Sequence, residues 1–151
     1  MILFFSDDII FKFRNKNLYK RWIKDVVESI QKNDPKKKIG DINIIFCSKK
    51  RILYLNNQYL KHSYYTDIIT FDYSDPLKIN GDLYINPETV NANSNRYKTN
   101  YHEELSRVII HGILHLLGFN DKTTQEVNNM RYLEDYSLSI LEKLKTEYQI
   151  K

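Results

Sequence analysis

Very little in this chain staples or breaks structure: its 151 residues include one cysteine, three prolines and four glycines. A single cysteine excludes an internal disulfide framework and fits a reducing compartment. Cys47 closes the apolar stretch Ile42–Cys47 and reads as a small core residue, not as a nucleophile or ligand. No apolar run approaches the roughly 20 residues that span a bilayer. The opening Met1-Ile2-Leu3-Phe4-Phe5-Ser6-Asp7-Asp8 has neither a basic leader nor a small-residue cleavage site. A cytoplasmic protein without membrane attachment is therefore expected. No Gly/Ser/Pro-rich linker or internal repeat divides the chain, so residues 1–151 are expected to form one domain. With 42% apolar and 28% charged residues, that domain can bury an ordinary core.

Charge is unevenly placed. Residues 1–61 carry 14 Lys+Arg against 6 Asp+Glu, whereas residues 62–151 carry 9 against 13. The basic half would attract a polyanion. Lys36-Lys37-Lys38 and Lys49-Lys50-Arg51 are its densest runs, and each also reads as a solvated face.

Periodicity outlines an α+β order. Ile2–Phe5 reads as a first strand. Leu18, Trp22, Val26 and Ile30 recur every four residues, which predicts an amphipathic helix over about 16–32, ended by Asn33-Asp34-Pro35. The β-branched alternation of Ile39–Phe46 predicts a strand. Ser48 can cap a helix that runs to about Leu60. Asp67–Tyr73 and Asp82–Asn86 predict two more strands, joined by a long hairpin punctuated by Asp75-Pro76 and Asn80-Gly81. Pro87 can open a helix at its first turn, with the polar Asn91–Asn100 limiting its length. Asn100-Tyr101-His102-Glu103 caps a long apolar helix over 101–118. Thr123-Thr124-Gln125-Glu126 is a second capping box, and Val127, Met130, Leu133, Leu138, Leu141 and Leu144 supply the core stripe of a last helix. The expected fold is one compact α+β domain, a small mixed sheet of about four strands packed with about five helices.

The most informative segment is His111-Gly-Ile-Leu-His115-Leu-Leu-Gly118-Phe-Asn-Asp121. Residues four apart share a helix face, so His111 and His115 can present nitrogens to one ion. Gly118 suits the left-handed turn that ends a helix and lets the chain double back towards Asp121. Two histidines and one carboxylate, with a fourth position for water, form the ligand set of a catalytic zinc site. Such a site would stand at the end of a buried helix and hold one Zn2+ per chain.

These residues resemble the YbeY family of metal-dependent endoribonucleases. His111-Gly112-x-Leu114-His115-Leu116-x-Gly118-Phe119 matches the family signature. Leu55-Asn56, Thr66-Asp67-Ile68-Ile69-Thr70-Phe71 and Gly81-Asp82-Leu83-Tyr84-Ile85 agree in order and spacing, over roughly residues 40–145. The resemblance implies a bound zinc and cleavage of single-stranded RNA. It also implies a role in maturing the 3′ end of small-subunit ribosomal RNA and in ribosome quality control. RNA or the ribosome would be its partner. Two positions depart from the family pattern. Asp121 stands where most members have a third histidine. Leu60 stands at the position of a family arginine implicated in RNA cleavage, with Lys61 next to it as a point charge only.

Gly112 follows His111 where zinc proteases of the His-Glu-x-x-His type carry their glutamate base, which argues against peptide hydrolysis by that route. A phosphodiester asks less, because a metal can polarise the phosphoryl oxygen and activate water without a dedicated base. His111, His115 and Asp121 are the expected metal ligands. Arg107, one turn before His111, is the candidate phosphate contact, with a surface salt bridge as the alternative reading. Lys49, Lys50, Arg51 and Lys61 are candidate RNA contacts. Asp67, Asp72 and Asp82 could each orient a ligand histidine or simply cap a strand end. Should Asp121 not serve, His102, Asp67 and Asp82 are the next candidate ligands. The competing functions are a ribosome-assembly binding factor with a mainly structural metal and a metallohydrolase of another substrate.

Overall fold

A computed structural model describes residues 1–32, 36–60 and 66–149. The expected Asn33–Pro35 helix stop and Lys61 lie outside the described residues. Four strands, β1 (Ile2–Ser6), β2 (Lys38–Phe46), β3 (Ile68–Asp72) and β4 (Lys78–Ile85), form one sheet in the order β1-β2-β4-β3. β1, β2 and β4 are parallel, and β3 pairs antiparallel with β4. The C-terminal ends of β2 and β4 therefore share an edge with the start of β3.

Among the described residues five α-helices accompany this sheet: α1 (Lys16–Ile30), α2 (Lys49–Leu55), α3 (Pro87–Arg96), α4 (Tyr101–Leu116) and α5 (Thr124–Glu147). A single π-helical turn, Asn56–Leu60, continues α2. The caps read from sequence do their work. Ser48, Asn100 and Thr123 each accept from a first-turn backbone N–H, as does Asn86, expected from sequence to end a strand, and Thr123 with Glu126 forms a reciprocal capping box. Strand alternation sends Ile42, Ile44, Phe46, Leu83 and Ile85 to the face covered by α1, α4 and α5. Cys47, Ile52, Leu55 and Ile69 close a smaller cluster beneath α2. Trp22 is fully buried, and its indole N–H donates to the Ser137 carbonyl at 2.7 Å, which ties α1 to α5.

One connection is tighter than its sequence suggests. β4 begins at Lys78, so Asn80-Gly81 lies within the strand and not in the hairpin loop. The Asn80 Oδ1 accepts the Asp41 N–H at 2.8 Å, where the β2–β4 register shifts between Ile39 and Ile42. Gly81 is demanded by packing, because a Cβ there would lie 2.6 Å from the Leu116 side chain and 2.7 Å from the Phe71 carbonyl. The glycine that reads as a turn signal is thus the place where α4 presses on the sheet. Gly112 is the counterpart on the helix: a Cβ there would meet Leu83 at 2.5 Å and Ile68 at 2.9 Å. With these contacts α4 is held against β4 and β3, and its histidines project beside the start of β3.

Candidate metal centre

α4 ends as the sequence requires. Gly118 has φ +97°, its N–H donates to His115 O at 2.9 Å, and the Phe119 N–H donates to Leu114 O at 3.1 Å. This pair of bonds is a Schellman motif, in which a left-handed residue lets the chain reverse. No described residue comes within 4 Å of a Cβ built on Gly118, so conformation and not space calls for glycine there. The chain returns through Asp121 before the capping box restarts it as α5.

The reversal brings three donor atoms together. His111 Nε2 lies 3.0 Å from His115 Nε2, and Asp121 Oδ2 lies 3.2 Å from the first and 3.4 Å from the second. Tetrahedral coordination with bonds of 2.0–2.1 Å places ligand atoms roughly 3.3 Å apart. The triangle therefore has the size that one ion needs, and its atoms are the ones a zinc-class ion takes. The two imidazoles stand nearly perpendicular, at 84°.

Glu134, on α5, holds the first of these rings. Its Oε2 is 2.7 Å from His111 Nδ1, which makes that nitrogen the donor and leaves Nε2 free to ligate. Its Oε1 accepts from Arg107 at 3.1 Å, and its side chain is only 8% exposed. None of the aspartates considered from sequence occupies this position. Asp72 accepts the Ser74 N–H at a strand end, and Asp82 accepts from Asn43 across the sheet. Asp67 does line the site, anchored by its carbonyl on the Asn86 N–H at 2.9 Å. Glu134 was visible in principle. It falls four residues after Met130 and four before Leu138, as a carboxylate on the apolar stripe of α5, where an acid needs a buried partner. Val127, expected on that stripe, is 48% exposed and faces the cavity beside the triad.

Electrostatics separates the two histidines. Burial opposes charge on His111, but the hydrogen bond and charge of Glu134, helped by Asp121 and Asp67, outweigh it and raise its pKa above 6.5. His115 is pushed below 6.5 by burial and by the neighbouring His111. Burial also raises the carboxyls of Asp67 and Glu104. The cavity measures about 280 Å³ and is lined by His111, Asp121, Asp67, Glu104, Arg107 and Arg131, among others.

Other candidates divide in two. Arg107 lines the cavity, and its guanidinium spans Glu134 at 3.1 Å and Asp135 at 2.8 Å. Lys49 pairs with Glu88 at 3.5 Å, and Arg51 pairs with Asp7 at 2.9 Å while lying over the Tyr54 ring. Lys50 is exposed. These three sit at the C-terminal end of β2, with α2 on the sheet face away from α4. Leu60 is 43% exposed at the end of the π turn. His102 lies at the other end of α4 from the triad.

An α+β domain that closes its central helix with a His2Asp triangle, one ring held by a buried carboxylate, has the build of a mononuclear metallohydrolase. The chain belongs to the Endoribonuclease YbeY family, whose family model matches residues 7–143. It is 49% identical to the endoribonuclease YbeY of Parabacteroides distasonis, over 93% of this chain and 95% of that protein. It is 40% identical to that of Flavobacterium psychrophilum, over 90% and 94%. The solution structure of TM1509 from Thermotoga maritima is similar with a TM-score of 0.60 and 25% identity, covering 99% of this chain and 92% of that one.

Proposed function

We propose that this chain is an endoribonuclease of ribosomal RNA processing that cuts single-stranded RNA at the His111–His115–Asp121 centre. Membership of the family supports the activity, and a metal-carrying binding factor without cleavage is the less favoured reading. The observation that carries the site is the donor triangle with edges of 3.0–3.4 Å, its first ring fixed by Glu134. Maturation of the 3′ end of small-subunit RNA is the step we assign, which places the chain in the cytoplasm with the ribosome as partner. No helix among the described residues is long and apolar enough to cross a membrane.

One divalent ion, Zn2+ by donor type, would supply Lewis acidity towards a phosphoryl oxygen and activation of water. The chain's own groups do the rest. Glu134 fixes the tautomer of His111, and burial with the neighbouring His111 disfavours charge on His115, so both rings turn Nε2 to the same point once His111 has given up its extra proton. Arg107 is the proposed phosphate contact. Its Nη1 and Nη2 each spend one N–H on a carboxylate and keep a second for an oxygen of the substrate. Gly112 leaves no room for a glutamate base, because Leu83 and Ile68 fill that space. This separates the site from the His-Glu-x-x-His proteases. Lys49, Lys50 and Arg51 are proposed to hold RNA outside the cavity. Their exposed ion pairs are individually weak, so phosphates can replace the carboxylates.

The test is cleavage of a single-stranded RNA by wild type and His115→Ala, with and without added Zn2+. Metal-stimulated cutting that His115→Ala abolishes is expected. Equal cutting by the two proteins would remove the centre from the chemistry.

A further inference from the structure

A second cavity, about 680 Å³, lies on the other flank of α4 from the metal centre. Its walls are the segment between β1 and α1, the first turn of α4 and the end of α5. Phe11, Phe13 and Tyr101 provide aromatic surface, and Lys12, Arg14 and Lys145 provide charge. The segment is rigidly seated. Phe13 stacks on Phe4 with centroids 4.7 Å apart and packs on Phe46 at 5.2 Å, while Phe11 packs on Phe46 at 4.5 Å. Alternation then turns Lys12 and Arg14 outwards, where both are exposed.

Those two cations differ from the ones the sequence singled out. Arg51 and Lys49 are engaged by Asp7 and Glu88, and Lys145 by Glu142 at 3.2 Å. Lys12 and Arg14 form no ion pair or hydrogen bond with any described residue. They belong to residues 9–24, a stretch with six Lys+Arg and no Asp or Glu. Glu103 and Glu142 are the acids on the cavity wall, and Glu142 is already bonded to Lys145.

The cavity is linked to the candidate metal centre by a run of contacts across the sheet. Its aromatic wall rests on Phe46, the last residue of β2, whose sheet partner is Ile85 of β4, and Asp67 of the metal cavity is bonded to the next residue, Asn86. Along α4, ten residues separate Tyr101 from His111, a rise of roughly 15 Å. At about 3.4 Å per stacked nucleotide this is roughly four nucleotides.

We propose that this cavity is a second RNA subsite, in which Lys12 and Arg14 hold phosphates of the strand flanking the scissile bond while the aromatic wall receives its bases. The inference rests on RNA as the substrate, as proposed above. Aromatic faces interleaved with unpaired cations suit a single strand, because every base has a face to stack and every linkage a charge to neutralise.

Binding of a labelled 12-nucleotide single-stranded RNA to the full chain, in chelator so that nothing is cut, tests it. Two phosphate contacts on a single strand contribute about 1.4 to the slope of log affinity against log salt. Lys12→Ala with Arg14→Ala should lower the slope by that amount, weakening binding about 25-fold at 0.1 M salt and converging with wild type towards 1 M. Lys36→Ala with Lys37→Ala removes the same charge elsewhere and should lose distinctly less. For cleavage, the first double variant should raise KM for the 12-mer with kcat kept, and leave a tetranucleotide unaffected. An unchanged slope, equal losses in the two double variants, or a cavity that takes up a protein partner while RNA affinity stays intact would each overturn the proposal. Failure of the metal reading shows separately, as cutting that survives His115→Ala.

Discussion

Glu134 Oε2 lies 2.7 Å from His111 Nδ1 and joins the last helix to the candidate metal centre. The same carboxylate accepts from Arg107 at 3.1 Å, so one buried acid serves a candidate ligand ring and a cation of the cavity. Partners of this kind fix ring orientation and raise ligand basicity. Glu134→Gln keeps an acceptor but drops the charge. Zn2+ affinity, measured by competition with a chromophoric chelator, should fall about 10–100-fold. Glu134→Ala should fall at least as far and would leave Arg107 paired with Asp135 alone. Wild-type affinity in both variants would leave the contact without a role in holding metal.

Asp121 completes the triangle from a turn and not from the helix, at 3.2 and 3.4 Å from the two ring nitrogens. Asp121→Ala leaves two protein ligands and should lose most metal affinity and cleavage. Asp121→His substitutes another zinc ligand and should keep part of both. Titration with Zn2+ and an RNA cleavage assay on the two variants check this. Asp121→Ala that bound and cut like wild type would place the third ligand elsewhere.

Metal binding should depend on pH through His111. Its pKa in the metal-free protein is raised above the ordinary imidazole value, so the ion competes with a proton on that ring up to a higher pH than it would on a free imidazole. His115, lowered below 6.5, faces less of this competition. Affinity should therefore be level at high pH and fall by about tenfold per unit once the pH drops below the raised pKa of His111. In Glu134→Gln the charge that stabilises the imidazolium is gone, and the inflection should move to lower pH. Calorimetry across about pH 6–8 in buffers of different ionisation enthalpy would count the proton released. A flat profile over that range contradicts the assignment.

Gly118 carries φ +97°, which a side chain adopts only at a cost of about 1–2 kcal/mol. Gly118→Ala should lower Tm by roughly 2–4 °C per kcal/mol for a chain of this size. Because the same turn delivers Asp121, metal affinity should fall with it. Thermal denaturation with and without Zn2+ separates the effects. Equal destabilisation in both conditions would mean that the turn does not govern the site.

Most of this fold is local, and what is local is legible. The face shared by Leu18, Trp22 and Val26, the caps at Ser48, Asn100 and Thr123, and the stop at Gly118 all follow from interactions between residues three to six apart. The pair His111 and His115 belongs to this group, because helix geometry alone puts them on one side. Asp121 was readable too, since one glycine-driven reversal connects it to them. The order of β and α elements emerged for the same reason, each element carrying its own period.

Tertiary structure decided what depends on how elements lie against one another. Glu134 is 23 residues from the ring it holds, and only the packing of α5 on α4 brings the two together. Asn80-Gly81 has the chemistry of a turn but sits in a strand, because Gly81 must clear Leu116 and Asn80 must meet the irregular backbone of β2. Arg107 reads equally as a phosphate ligand or a salt bridge in sequence, and only the fold shows that it lines the cavity with Glu134 and Asp135 on its guanidinium. Lys49-Lys50-Arg51 stands out as a run, yet two of its charges are engaged by acids 39 and 44 residues away in sequence, while the less conspicuous Lys12 and Arg14 have no partner among the described residues. Sequence spacing specifies which side chains share a face. Which charge is neutralised, and which cavity it borders, is set by contacts between distant residues that no local period encodes.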